Sequence, residues 1–251
     1  MIKAYMQADL NNALAMRYIE YALKSFECVS DIFEIEVVQC ITPDNLLPEL
    51  KNTPYWHGNK KRSPGELGSY HSNYRMMKRL ASGERFWVME HDAWLNPERE
   101  DIFRKFMGKC RVMEAMLIGT ATEIWTVSRG VAIEHCKIVE NGTKHGTMET
   151  IHKAVNIHCR NINLKSNRVY WPLFNKQGTH IGRVNKTGIG NSADVAFRRP
   201  RGIIENAPCT QLVDPNYGAS IQDRANIIKN KKSKTLIDIH KDLHFISLDN
   251  M

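Results

Sequence analysis

The apolar positions change period along the chain, and the changes mark its elements. Residues 2–6 form a short apolar run of the kind that makes a buried strand, and residues 9–12 supply capping side chains. Residues 11–27 then place Ala15, Ile19, Ala22 and Phe26 three or four apart, which predicts a helix with one buried face. Residues 33–41 alternate, with Phe33, Ile35 and Val37 set against Glu34 and Glu36, as in a half-buried strand. Residues 42–64 read as loop. A second helix, 65–83, carries Tyr70, Tyr74, Met77 and Ala81 on one side. The wholly apolar run 86–89 predicts a central strand. Asn96 and Pro97 open a helix holding Ile102, Phe103 and Phe106. Strands are expected at 115–118, 124–127 and 168–174, and helices at 129–140, closed by Asn141-Gly142, and at 147–158. Past Gly178 glycine, asparagine and basic residues take over, with a last helix or strand reaching Phe245. Alternating strands and helices predict an α/β domain over 1–200, with a basic extension, 201–251, packed on it.

Composition narrows the class. The chain has 251 residues, 42% of them apolar, enough for the core of one α/β domain. No run approaches the ~18 apolar residues of a membrane-spanning helix. Charged and polar residues come too early for a signal peptide, so membrane insertion is not expected and the cytoplasm is the expected compartment. Six cysteines at wide, irregular spacings fit neither a zinc ribbon nor a disulfide framework and are expected as reduced thiols. The sequons at Asn141 and Asn185 then carry no weight. The net charge of +8 favours polyanionic partners: nucleic acid, anionic glycolipid or nucleotide phosphates.

The chemistry gathers where the apolar run 86–89 meets Glu90-His91-Asp92. In an open α/β sheet ligands bind at the carboxyl ends of the strands. Alternation along an extended chain turns residues 90 and 92 the same way. Two hard carboxylate ligands there suit Mg²⁺ or Mn²⁺, which in turn grips a diphosphate.

Upstream stands GELGSYHSN (65–73), then a helix, then FWVMEHDAWL (86–95). This arrangement resembles glycosyltransferase family 25, the lipopolysaccharide and collagen galactosyltransferases. The family pattern is approximately GEIGCxxSH, an amphipathic helix, and a hydrophobic strand ending in EDD. Gly65, Glu66, Gly68 and Ser72 match its first part, and Glu90 and Asp92 the outer acids of its second. Ser69, Asn73 and His91 depart from it, replacing a cysteine, a histidine and the middle acid. More weakly, residues 2–17 resemble the family's first strand and donor loop, with Asp9 and Arg17 in place, and TVSRGVA (126–132) resembles its ISRxGA segment.

The resemblance implies a GT-A-like fold with a mixed, mainly parallel central sheet flanked by helices. It also implies a nucleotide-sugar donor, UDP-linked in the family, and inversion at the anomeric carbon. Asp9, Arg17, Glu66, Ser72, Glu90 and Asp92 become donor-binding candidates. His180, in Gly178-Thr-His-Ile-Gly182, is the candidate to join Glu90 and Asp92 on the metal. An inverting transfer needs a carboxylate to take the acceptor's proton. Glu149 is the first candidate for that base and Asp194 the second.

Basic clusters suggest the acceptor. Lys60, Lys61 and Arg62 follow Tyr55-Trp56, while Arg198, Arg199, Arg201, Lys231 and Lys232 lie near the C-terminus. Such groups contact phosphates along a duplex. Small size, basic charge and no membrane anchor are also features of phage enzymes that glycosylate hydroxymethylated pyrimidines in DNA. The favoured acceptor is therefore a 5-hydroxymethylpyrimidine in double-stranded DNA, in the host cytoplasm if phage-encoded. A lipopolysaccharide or oligosaccharide acceptor is the alternative. A non-catalytic nucleic-acid-binding protein on a degenerate transferase fold is a second.

Overall fold

A computed structural model of the chain describes residues 1–50, 56–57, 60–61, 63–109, 115–118, 123–142, 146–163, 169–170, 172–174, 180–183, 209–213 and 246–247. β1 (Ile2–Ala8) turns into α1 (Ala13–Phe26), where Asn12 Oδ1 accepts the amides of Leu14 and Ala15. β2 (Phe33–Gln39) follows. The region read as loop contains two 3-10 turns, Pro43–Asn45 and Pro48–Leu50, and a small antiparallel pair, β3 (Trp56–His57) and β4 (Lys60–Lys61). α2 (Pro64–Ser82) starts behind a capping box in which Ser63 and Glu66 exchange hydrogen bonds. It stops at Gly83, whose φ of 110° suits only a residue without Cβ.

β5 (Trp87–Glu90) and β6 (Ala93–Leu95) come next, then α3 (Glu100–Lys109), β7 (Ala115–Ile118), β8 (Ile124–Val127), α4 (Arg129–Glu140) and α5 (Thr147–Asn161). The strand expected over 168–174 is divided into β9 (Val169–Tyr170) and β10 (Pro172–Phe174). β9 joins the large sheet, while β10 pairs with β11 (His180–Arg183). β12 (Cys209–Val213) and β13 (Ile246–Ser247) complete the described strands.

The large sheet runs β2-β1-β5-β8-β7-β9. β1 is parallel to β2 and to β5, β8 is antiparallel to β5 and to β7, and β7 is parallel to β9. The molecule is thus an α/β protein with a mixed sheet. Its parallel half, β2-β1-β5, sends three strand ends to one edge. Helices cover both faces. Tyr5, Val88 and Trp125 pack with residues of α2, α4 and α5. Met6, Trp87 and Met89 pack with residues of α1 and α3. Within the span expected as an extension, β12 pairs antiparallel with β6, and its Cys209 is fully buried in the second core. Among the described residues no helix is long and apolar enough to cross a membrane.

Gly68 sets how closely α2 approaches the chain leaving β2. A Cβ there would lie 2.6 Å from the carbonyl oxygen of Ile41. That atom is backbone and cannot swing aside. Gly68→Ala is therefore expected to destabilise the protein by about 1–3 kcal/mol, the usual cost of overpacking. Urea unfolding measures this, and a change below about 0.5 kcal/mol, typical of an unconstrained surface site, would contradict the close approach.

Candidate functional site at the carboxyl edge of the parallel strands

β1, β5 and β2 end at Ala8, Glu90 and Gln39, and the polar residues that follow form one edge. Asp9 is held in place by its neighbours. Its Oδ1 accepts from the Asn11 amide at 3.1 Å and from Gln39 Nε2 at 3.2 Å. Gln39 Oε1 in turn accepts the Leu10 amide at 3.0 Å. The Arg75 guanidinium, reaching over from α2, donates to the Gln39 carbonyl. Asp9 and the Gln39 side chain of β2 thereby fix the loop that begins α1.

β5 ends at Glu90, opposite Gln7 of β1. The Glu90 amide donates to the Glu123 carbonyl at 2.9 Å, tying this end to the start of β8. Beyond it the chain does not stay extended. His91 and Asp92 form a turn, and β6 begins at Ala93 to pair with β12. The expectation that simple alternation aligns residues 90 and 92 is corrected here, because the pairing partners change between them. Glu90 is half-buried and Asp92 only 3% exposed.

His91 faces the other way, its ring edge-on to Tyr18 of α1 at 5.7 Å between centroids. Burial lowers its pKa to about 4, and the Asp9 carboxylate opposes that shift. At neutral pH position 91 thus carries an uncharged ring. His135, on α4, is lowered to about 3 by burial alone.

Both imidazoles are protonated in the unfolded chain below about pH 6.5 but stay neutral when folded until much lower pH. The unfolded state then binds more protons, so stability falls as pH drops from 6.5 toward these folded values. Each imidazole is expected to remove about 1.4 kcal/mol per pH unit in that window. Urea midpoints at pH 7.5 and 5.5 test this. Equal midpoints, or no flattening of the slope in His135→Phe, would contradict it.

The other expected site residues are spread more widely. Ser72 is buried and braces the loop after β2: its Oγ accepts the Ile41 amide at 2.6 Å and donates to the Gly68 carbonyl at 2.9 Å. Glu66 is engaged by the Ser63 amide at 2.8 Å. Arg17 is exposed on α1. Glu149 lies in the first turn of α5, its Oε2 3.4 Å from the Gly146 amide. His180 begins β11, opposite Phe174. Lys60 and Lys61 form β4. Arg62, Asp194, Arg198, Arg199, Arg201, Lys231 and Lys232 lie outside the described residues. The structure therefore places Asp9 and Glu90 at the ends of neighbouring parallel strands, with Asp92 in the turn after Glu90, and gives Ser72 and Glu66 structural contacts.

Two features escaped the sequence reading. Glu123, next to Glu90, is 0% exposed, and its carboxylate joins burial in raising the Cys209 thiol. Gln7, Asn73 and Thr147 form a hydrogen-bonded line beside Glu90: Gln7 Nε2 donates to Asn73 Oδ1 at 3.1 Å, and Asn73 Nδ2 to Thr147 Oγ1 at 3.3 Å. Asn73 had stood out only as a departure from the family pattern. Comparison with protein-family models and with curated proteins found no match.

Proposed function

We propose that the protein is a glycosyltransferase that moves a sugar from a nucleotide-sugar, UDP-linked by the family resemblance, to a hydroxyl acceptor through a GT-A-like fold. The observation that carries this reading is the placement of Asp9 and Glu90 where the parallel strands β1 and β5 end, with Asp92 in the turn that follows, the usual ligand position in open α/β sheets. The GELGSYHSN and FWVMEHDAWL segments add the donor chemistry.

A divalent ion fits these residues in a limited way. Among the described residues no three His, Cys, Asp or Glu side chains are grouped to hold a metal. Mg²⁺ is commonly bound by one or two carboxylates together with substrate phosphates, and Glu90, at the end of β5, and Asp92, in the turn after it, are the candidates. Mg²⁺ or Mn²⁺ held there with the donor would supply positive charge to offset that on the departing nucleotide diphosphate. In this reading Asp9 orders the donor loop, His180 is a further ligand candidate, and Glu149 takes the acceptor's proton, with Asp194 as the second candidate.

The acceptor we favour is the 5-hydroxymethyl group of a pyrimidine in DNA. Its support is the net charge of +8 and the basic clusters at 60–62, 198–201 and 231–232. An enzyme working on a duplex base must flip it out or reach into a groove, holding the flanking phosphates meanwhile. Incubating hydroxymethylated DNA with a panel of nucleotide sugars and Mn²⁺, then weighing the nucleosides by mass spectrometry, tests the assignment. One added sugar on the modified base is expected. Affinity for the duplex should fall about 10³-fold or more between 50 and 200 mM salt if six or more phosphates are held. Transfer that is indifferent to salt and occurs only on short oligosaccharides would reject DNA as the acceptor.

A further inference from the structure

The first half of α2 lies against the chain leaving β2. Ser72 bonds to Ile41, and Arg75, about one turn further along the helix, donates to the carbonyl of Gln39, the last residue of β2. A guanidinium is thereby held where a parallel strand ends, the usual ligand position in open α/β sheets. Arg75 is half-buried, and none of its nitrogens is sealed from solvent without a partner. A guanidinium carries several N–H donors in a planar fork, and among the described residues only the Gln39 carbonyl draws on them.

Its charge is unanswered. Among the described residues no ion pair includes Arg75. Burial lowers its pKa below the usual arginine value; the Cys40 thiol opposes this, and the like charge of Arg79 adds to it. No carboxylate of the described residues acts on it. The stretch 51–62, between β2 and α2 in sequence, contains no acid either, but does contain Lys51, Lys60, Lys61 and Arg62. Taking a cation partly out of water without a counter-charge is unfavourable, and an incoming anion offsets this. The guanidinium fork matches two phosphate oxygens at once.

We infer that Arg75 holds the diphosphate of the nucleotide-sugar at the end of β2. This rests on the glycosyltransferase reading and adds to it a binding residue outside both segments that carry the family resemblance. The ends of the parallel strands also bear the acids Asp9 and Glu90, so a diphosphate bound there needs a cation of the protein's own.

The full-length protein, as wild type, Arg75→Met and Arg75→Lys, is titrated with uridine, UDP and inorganic pyrophosphate, in EDTA and again with Mn²⁺. Uridine has no phosphate, so it reports the rest of the site, including any shift of the loop that Arg75 braces through Gln39. Wild type is expected to bind UDP and pyrophosphate. Arg75→Met should lose about ten- to a hundredfold in affinity for both, the weight of charge-assisted hydrogen bonds, with uridine unchanged. Arg75→Lys keeps the charge but not the fork and should fall between the two; its titration decides the matter if Arg75→Met does not fold. Equal losses for uridine and UDP, or unchanged UDP affinity in the folded variants, would overturn the proposal, leaving Arg75 a brace for the end of β2 and the glycosyltransferase reading intact. Pyrophosphate binding that requires Arg75, without binding of UDP or any UDP-sugar, would overturn the glycosyltransferase reading instead. Failure of wild type to bind any of these ligands would overturn both.

Discussion

Replacing Asp92 with Asn is expected to lower sugar transfer by about 10²–10³-fold while leaving the protein folded. That is the loss seen when one preorganised electrostatic contact to developing charge is removed. Asp92 sits in the turn that ends β5, 3% exposed, two residues beyond the last paired residue, Glu90. Asn keeps its volume and hydrogen-bonding reach but not its negative charge. The substitution should therefore weaken donor binding that depends on Mn²⁺ and leave the core untouched. Two measurements check it together: initial rates of nucleotide release at saturating donor, and the thermal midpoint without donor. Full activity in Asp92→Asn would remove Asp92 from the metal role. Loss of activity with a collapse of the midpoint would assign it to the fold instead.

The second large effect is on stability. Trp125 is the largest fully buried side chain among the described residues and lies opposite Val88 on the neighbouring strand β5. It sits in the core formed with α2, α4 and α5 and so supports the strand that delivers Glu90. Trp125→Ala should cost about 3–5 kcal/mol through lost burial and the cavity left behind. For a chain of this size that corresponds to a fall in thermal midpoint of about 6–20 °C. The indole Nε1 has no hydrogen-bond partner among the described residues. Trp125→Phe removes an unsatisfied donor together with part of the ring, so it should cost distinctly less than the alanine change. Equal losses for Phe and Ala would mean that the indole N–H makes a contact essential to the core.

How far the fold could be read in advance depended on whether neighbours in sequence were also neighbours in space. The face of α1 made by Ala15, Ile19, Ala22 and Phe26 is buried as its spacing predicts, and α4 runs over the expected residues, Arg129–Glu140. Helix periodicity and capping are local properties, and Asn12 and Ser63 act as caps through bonds spanning two or three residues. Strand alternation at 90–92 misled because it assumes one continuous partner. The chain instead leaves β1 and β8 at Glu90 and meets β12 from Ala93 onward. β12 itself escaped notice, since Cys209–Val213 has no periodic context and is defined by its distant partner β6.

The candidate site divides along the same line. Glu90 and Asp92 were legible because an apolar strand ending in acids is a local pattern. Glu123 was not, because nothing in the sequence marks an acid just before a strand as one that will be buried. The Gln7–Asn73–Thr147 line joins residues 66 and 74 positions apart, and no single segment carries its signal. Ser72 shows the opposite case. It falls in the segment that resembles a family pattern, yet it spends its hydroxyl on Ile41 and Gly68, where α2 closely approaches the loop.

The central claim is that the edge formed by Asp9, Glu90 and Asp92 binds a nucleotide-sugar. The thermal midpoint of the full-length protein, measured with Mn²⁺ and each of a panel of nucleotide sugars, tests it most directly. A ligand at about 100 times its Kd contributes about 2.7 kcal/mol, which is a rise of roughly 5–10 °C for a chain of this size. The account predicts such a rise for at least one donor, dependent on Mn²⁺ and lost in Asp92→Asn; no shift with any nucleotide-sugar would contradict it.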